Sequence, residues 1–248
     1  MKYYSKENIK RFIEMLPDRR VGKRGPNPLP KETLVKAFLL WLRTGCSWRE
    51  VPHSATVRRY FFECQRRGIL FKNIPLAKNG KSRLNKVVID ATNIDTYKGS
   101  PMSRYSGKYH NYCIKLTLII TEQGHIVDFN LSMGSYHDSK IFDFMLKNMP
   151  KFPYEILADK GFENYERRRT LKKSGCQLRI EQKNYKKNKK RGPRFLFTKA
   201  HKDTRTSIER YFAYIKSFKA LRYLRFRKIS TLKLAVLSSI LFVFVLSL

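Results

Sequence analysis

Acidic side chains are what this sequence has least of: 19 Asp and Glu stand against 53 Lys and Arg in 248 residues, a formal charge of +34. Such a surplus repels itself and is tolerated best when a polyanion neutralises it. Nucleic acid is therefore the expected partner, with an anionic membrane surface as the lesser alternative. Cysteine is also sparse. The four, at 46, 64, 113 and 176, form no CxxC pair, which excludes the usual zinc and redox arrangements and leaves buried, reduced thiols as the expectation. Met1 to Lys10 is charged and polar throughout, so no secretory leader is expected and a reducing cytoplasm, in association with the nucleoid, is the expected compartment. One long apolar run stands out, Leu234 to Leu248, fifteen residues without a charge. As a helix it would measure about 22 Å against roughly 30 Å of bilayer hydrocarbon, so a buried helix over 230–248 is expected rather than an anchor.

What is present argues for a folded chain of one or two domains. Apolar residues make up 42%, with 17 Phe and 14 Tyr, enough to build a core. The sequence divides at a polar joint into a helical segment, 1–80, and a segment of alternating strands and helices, 81–248. In the first, an extended basic arm runs from Arg20 to Pro30. Residues 31 to 43 then put Leu34, Phe38, Trp41 and Leu42 on one helical face, and Gly45 ends that helix. Ser47 and Glu50 have the spacing of a capping box, and Ala55 to Arg67 carries Val57, Tyr60, Phe61 and Cys64 beside Arg58, Arg59, Arg66 and Arg67. This is a helix-turn-helix-like order whose last helix is basic, either a DNA-contacting unit through Arg58 and Arg59 or a plain packing bundle.

In the second segment, β-branched runs predict strands over 86–90, 113–121, 126–132, 154–158 and 177–181, with helices over 138–148 and 165–173. The fold class expected is α/β, a mixed five-stranded sheet with flanking helices. Between the last strand and the next helix, Lys183 to Arg194 holds seven Lys or Arg and no acid. Alone it reads as a solvated loop; beside a nucleic-acid enzyme it becomes a phosphate-contacting loop, with Lys187 and Lys190 at its centre.

Because acids are scarce, their placement is informative. Asp90 and Asp159 each end an apolar strand, and Glu209 lies in a later helix, TRTSIERYFAYIK. Carboxylates converging on one sheet suit hard divalent cations, which take oxygen ligands and serve phosphodiester chemistry as a pair about 3.5–4 Å apart. Arg205 and Lys216 fall within about 40° of Glu209 around that helix, where Arg205 and Glu209 would otherwise be an ordinary surface ion pair. Asp138 is expected as a helix N-cap with His137 lining the site, Gly161 as a tight turn, and Asp95 in a loop off the cation. His110 and His125 lack metal-ligand spacing.

The motifs IDATNID around Asp90, GSYHD at Gly134 to Asp138, ADKGFE at Ala158 to Glu163, and the R-x3-E-x6-K spacing of Arg205, Glu209 and Lys216 follow one another in a set order. In that order they resemble the DDE transposases of bacterial insertion sequences, in the insertion-sequence-five-like branch. The N-terminal stretch, including RTGCSWREVP at Arg43 to Pro52, is similar to that family's small DNA-binding domain.

The resemblance implies an RNase-H-like catalytic domain preceded by a small all-α domain. It implies Asp90, Asp159 and Glu209 as the metal-binding and catalytic triad, Arg205 and Lys216 as DNA-contacting partners, and two Mg²⁺ ions with Mn²⁺ as a substitute. It further implies double-stranded DNA, both element ends and target, as substrate and a homo-oligomer as the working assembly. Lys202 departs from the pattern, standing where many relatives carry Tyr. The activity expected is cleavage and strand transfer at element ends. A nuclease that cuts without joining, and a DNA-binding regulator with an inert catalytic domain, are the alternatives.

Overall fold

The computed structural model describes residues 5–18, 28–74, 76, 84–107, 110–149, 151–180, 197–223 and 227–247. Most of the basic arm and of the polar joint, and the loop carrying Lys187 and Lys190, fall outside the described residues. The chain forms two compact units that are not contiguous in sequence. One gathers Met1–Ile74, Asp95–Pro101 and Ala213–Leu248, the other Pro75–Ile94 and Met102–Phe212. The sequence puts a boundary at 80/81, whereas the C-terminal helices group with the N-terminal ones.

The helical unit contains α1 (Lys6–Glu14), α2 (Lys31–Thr44), α3 (Ser54–Arg66), α4 (Ile69–Lys72), the end of α7 (Lys199–Ser217), α8 (Lys219–Tyr223) and α9 (Ile229–Ser247). Ser47 and Glu50 make the expected capping box around a short 3-10 turn between α2 and α3. Phe38 stacks on Phe61 with ring centroids 3.7 Å apart, and Trp41 stacks on Trp48 at 4.4 Å. Gly45 ends α2 at φ +66°, and a Cβ there would meet the Lys219 carbonyl at 2.7 Å, so both conformation and space demand glycine. Every described α9 side chain from Leu234 to Val245 is buried or half-buried, as expected of a helix that is apolar all round. Its Phe242 meets Phe12 of α1 edge-on at 5.5 Å. Among the described residues no helix is long and apolar enough to cross a membrane.

The second unit is built on a mixed sheet with strands β1 (Lys86–Asp95), β2 (Arg104–Ser106), β3 (Asn111–Thr121), β4 (Ile126–Met133), β5 (Glu155–Ala158) and β6 (Gln177–Ile180). Their order is β2-β3-β1-β5-β6, with β4 also paired to β3. The sequence predicts five strands. The sixth, β2, is only three residues long and pairs with Asn111 to Cys113, next to the stretch of β3 that β4 occupies. β1 runs five residues past Asp90, where the sequence reading ends the strand, to Asp95, which is its last residue rather than part of a loop. β1, β5 and β6 run parallel, which requires crossovers; α5 (Asp138–Lys147) and α6 (Tyr165–Lys173) supply helices where the sequence predicts them. Apolar faces of both helices enclose one core with the sheet, including Ile141, Phe142, Leu171, Ile89 and Ile156.

Candidate functional site

The parallel register of β1 and β5 builds the site. Ile89 pairs with Ala158, the last such pair along these strands, so the next residue on each is a carboxylate, Asp90 on β1 and Asp159 where β5 ends. Parallel neighbours lie about 4.8 Å apart, which brings the two acids side by side to the end of the β1–β5 ladder. Both line a cavity of about 560 Å³. Asp159 is exposed and precedes the 3-10 turn Lys160–Phe162, whose Phe162 N–H returns to the Asp159 carbonyl at 3.0 Å.

Asp90 is half-buried, and its Oδ1 accepts the N–H of Ala91 at 2.8 Å. Burial pushes its carboxyl up to about 6; the Ala91 N–H and the Arg205 guanidinium act against that, and the charges of Asp159 and Glu209 add to it. Arg205 is thus part of the site and lines the same cavity. Glu209, one turn further along α7, is exposed and forms a loose pair with Arg205 at 3.9 Å. Lys216 is exposed two turns beyond and is not among the residues lining the cavity.

The Gly134 to Asp138 loop forms another part of the lining. His137 lines the cavity, as expected. Asp138 does not cap α5: the cap position falls to His137, whose side chain makes no capping bond, and Asp138 instead accepts Lys115 Nζ at 2.7 Å. An ammonium 13% exposed on β3 outcompetes backbone N–H groups for that carboxylate, and it also donates to the Tyr136 carbonyl at 2.6 Å. Gly161 packs against this pair, since a Cβ there would sit 3.3 Å from Asp138 Oδ2. Lys115 is a site residue that the sequence reading passes over; its only signal is a lone lysine inside the apolar run CIKLTLII.

The donor set is all oxygen and anionic, which is the chemistry of a hard divalent cation rather than zinc. A half-buried Asp90 carboxylate with Asp159 on the same cavity fits such an ion. Among the described residues no three His, Cys, Asp or Glu side chains stand together closely enough to hold one; Glu209 is exposed and lies 3.9 Å from Arg205. In the helical unit Arg58 and Arg59 are both exposed on α3, and the Arg58 guanidinium lies 5.9 Å from the Trp48 ring centroid. Cys64, Cys113 and Cys176 are buried and Cys46 partly so, all four as free thiols.

A family profile described as "Transposase DDE domain" matches residues 81–242. No curated protein matches the chain. Among solved structures, a cryo-EM structure of the piggyBac transposase synaptic complex with hairpin DNA aligns with 99% of this chain and 72% of that one, at 10% identity and a TM-score of 0.55. A Mos1 transposase paired-end complex with left transposon end aligns with 68% of this chain and 48% of that one, at 16% identity and a TM-score of 0.29. The first of these likenesses speaks to fold alone.

Proposed function

Since the chain belongs to the transposase DDE domain family, and is by that membership a DNA-cutting and strand-transferring enzyme, we propose that it binds the ends of its own insertion sequence, hydrolyses a phosphodiester there and joins the freed 3′ hydroxyl to target DNA. The observation that carries this reading is the β1–β5 register, which sets Asp90 and Asp159 on one cavity with Arg205. Family members generally use divalent ions. In this reading Asp90, Asp159 and Glu209 hold two Mg²⁺, or Mn²⁺ in its stead, which when bound activate the attacking oxygen and neutralise the leaving one.

The chain's own residues do the rest. Arg205 presents a fork of N–H donors to a backbone phosphate at the carboxylate end of the sheet. Lys115 holds the Gly134 to Asp138 wall in place through Asp138 and Tyr136. Arg58 and Arg59 contact the duplex from α3, as do Lys187, Lys190 and Lys216 from their segments, mainly as phosphate neutralisers. The insertion-sequence-five-like branch is proposed on the motif spacing, and a cytoplasmic, nucleoid-associated homo-oligomer on the chemistry of pairing two ends. The test is incubation with Mg²⁺ and DNA carrying the sequences that flank the coding segment. Cleavage followed by joining is expected; cleavage without joining would make the protein a nuclease, and binding without either a regulator.

A further inference from the structure

Helix α6 turns two side chains into the core, and one is a cation. Leu171 is an unremarkable occupant; Arg167, one turn before it, is a guanidinium whose side chain is only 3% exposed. Burying that charge is costly unless every donor is used. Its Nε donates to Asp143 at 2.7 Å, one terminal nitrogen donates to the Phe162 carbonyl, and the other to the Ser139 carbonyl and hydroxyl at 2.6 and 2.8 Å. The Phe142 ring lies beneath it at 4.7 Å.

These acceptors are not scattered. Phe162 closes the 3-10 turn onto the Asp159 carbonyl, so its own carbonyl fixes the segment that carries the second carboxylate. Ser139 directly follows Asp138, the residue locked to Lys115 and packed against Gly161. One planar fork therefore ties the Asp159 turn to the Asp138 segment, two parts of the cavity lining, a task a lysine's single ammonium performs poorly.

We infer that Arg167 is a positioning residue for the carboxylate site, setting the backbone of Asp159 and of the Asp138 wall so that a divalent cation is held. This rests on the metal reading above. Outer supports of this kind, when removed, typically cost ten- to a hundredfold in metal affinity.

The experiment is a Mn²⁺ titration of the full chain without DNA, read by melting temperature and by the electron paramagnetic resonance of free Mn²⁺, on wild type, Arg167→Met, Arg167→Lys, Asp143→Asn and Asp159→Asn. Arg167→Met is expected to fold and to raise half-saturating Mn²⁺ about tenfold or more, with Arg167→Lys in between and metal-free DNA affinity unchanged. A folded Arg167→Met with the wild-type Mn²⁺ dependence overturns the inference. Should Arg167→Met fail to fold, Asp143→Asn decides: the guanidinium keeps its carbonyls but loses its counter-charge, and a raised half-saturation supports the role while an unchanged one removes it. Asp159→Asn separates the two levels. If it loses Mn²⁺ binding while Arg167→Met keeps it, only the positioning role fails; if it binds as wild type does, the metal reading fails and takes this inference with it.

Discussion

Asp90 and Asp159 each stand one residue beyond Ile89 and Ala158, the last registered pair of β1 and β5. Their proximity is thus a property of the parallel ladder, and neither carboxylate is needed to form it. Asp159→Asn should therefore keep the wild-type melting curve, since that side chain is exposed, and lose cleavage of element-end DNA by a hundredfold or more, on the order expected when a metal ligand goes. Near wild-type cleavage would remove Asp159 from the site.

Asp90 behaves differently because it is half-buried. Its carboxyl is raised from 3.8 to about 6, so the proton is bound more tightly in the folded chain than in the unfolded one. The stability that proton confers is complete below pH 4 and is lost as pH rises through 6. In chelator at pH 7, Asp90→Asn should melt a few degrees above wild type, the gap closing on acidification as the wild-type carboxyl protonates. Added Mg²⁺ should raise the wild type and leave the variant unmoved. A variant that melts below wild type at pH 7 would contradict the account.

Arg205 faces both Asp90 and Glu209 and lines the cavity. A charged hydrogen bond to substrate phosphate is worth about 1.5–3 kcal/mol, so Arg205→Ala should slow single-turnover cleavage by roughly ten- to a hundredfold. A surface pair with Glu209 alone would leave the rate within twofold, and that outcome would reduce the residue to its helix pairing.

For the helical unit the informative variants are point changes. Deleting the first eighty residues would strip α9 of the helices it packs with, so loss of activity there would say nothing about recognition. Arg58→Ala with Arg59→Ala keeps the core of α3 and should weaken binding to element ends. Each lost phosphate contact should flatten the dependence of log affinity on log salt by about 0.9. An unchanged slope would move DNA contact off α3.

Val243 is fully buried in α9. Val243→Asp sets an unpaired carboxylate in a fully buried position and should cost about 3 kcal/mol or more, seen as precipitation or a lowered melting temperature. A stable variant would mean that this face of α9 has water beside it.

Much of this was legible from local signals. Helix α6 starts and stops at the residues the sequence predicts, because Asn164 caps it and Gly175 follows it with φ +70°. The end of β5 before Asp159 is readable as an apolar run meeting an acid; at Asp90 the apolar run stops but β1 continues to Asp95, because its pairing and not its hydropathy sets its length. What escaped was long-range. β2 is too short to show an alternation, and α9 is apolar on every side, so nothing in its pattern says which helices it joins. Asp138 looked like a cap because caps are chosen by sequence neighbours, whereas Lys115 comes to it from 23 residues away. Arg167 sat within a run of three arginines, and only the fold distinguishes the one that points inward.

The meeting of Phe12 with Phe242 also bears on synthesis. A ribosome delivers α1 well before α9, so α1, α3 and α4 wait for that partner until Ile229–Ser247 has been made. Until then the apolar sides of α1, α3 and α4 stay open to chaperones and to other nascent chains. A chain broken before α9 lacks the helix that α1, α3 and α4 pack against and cannot complete that unit.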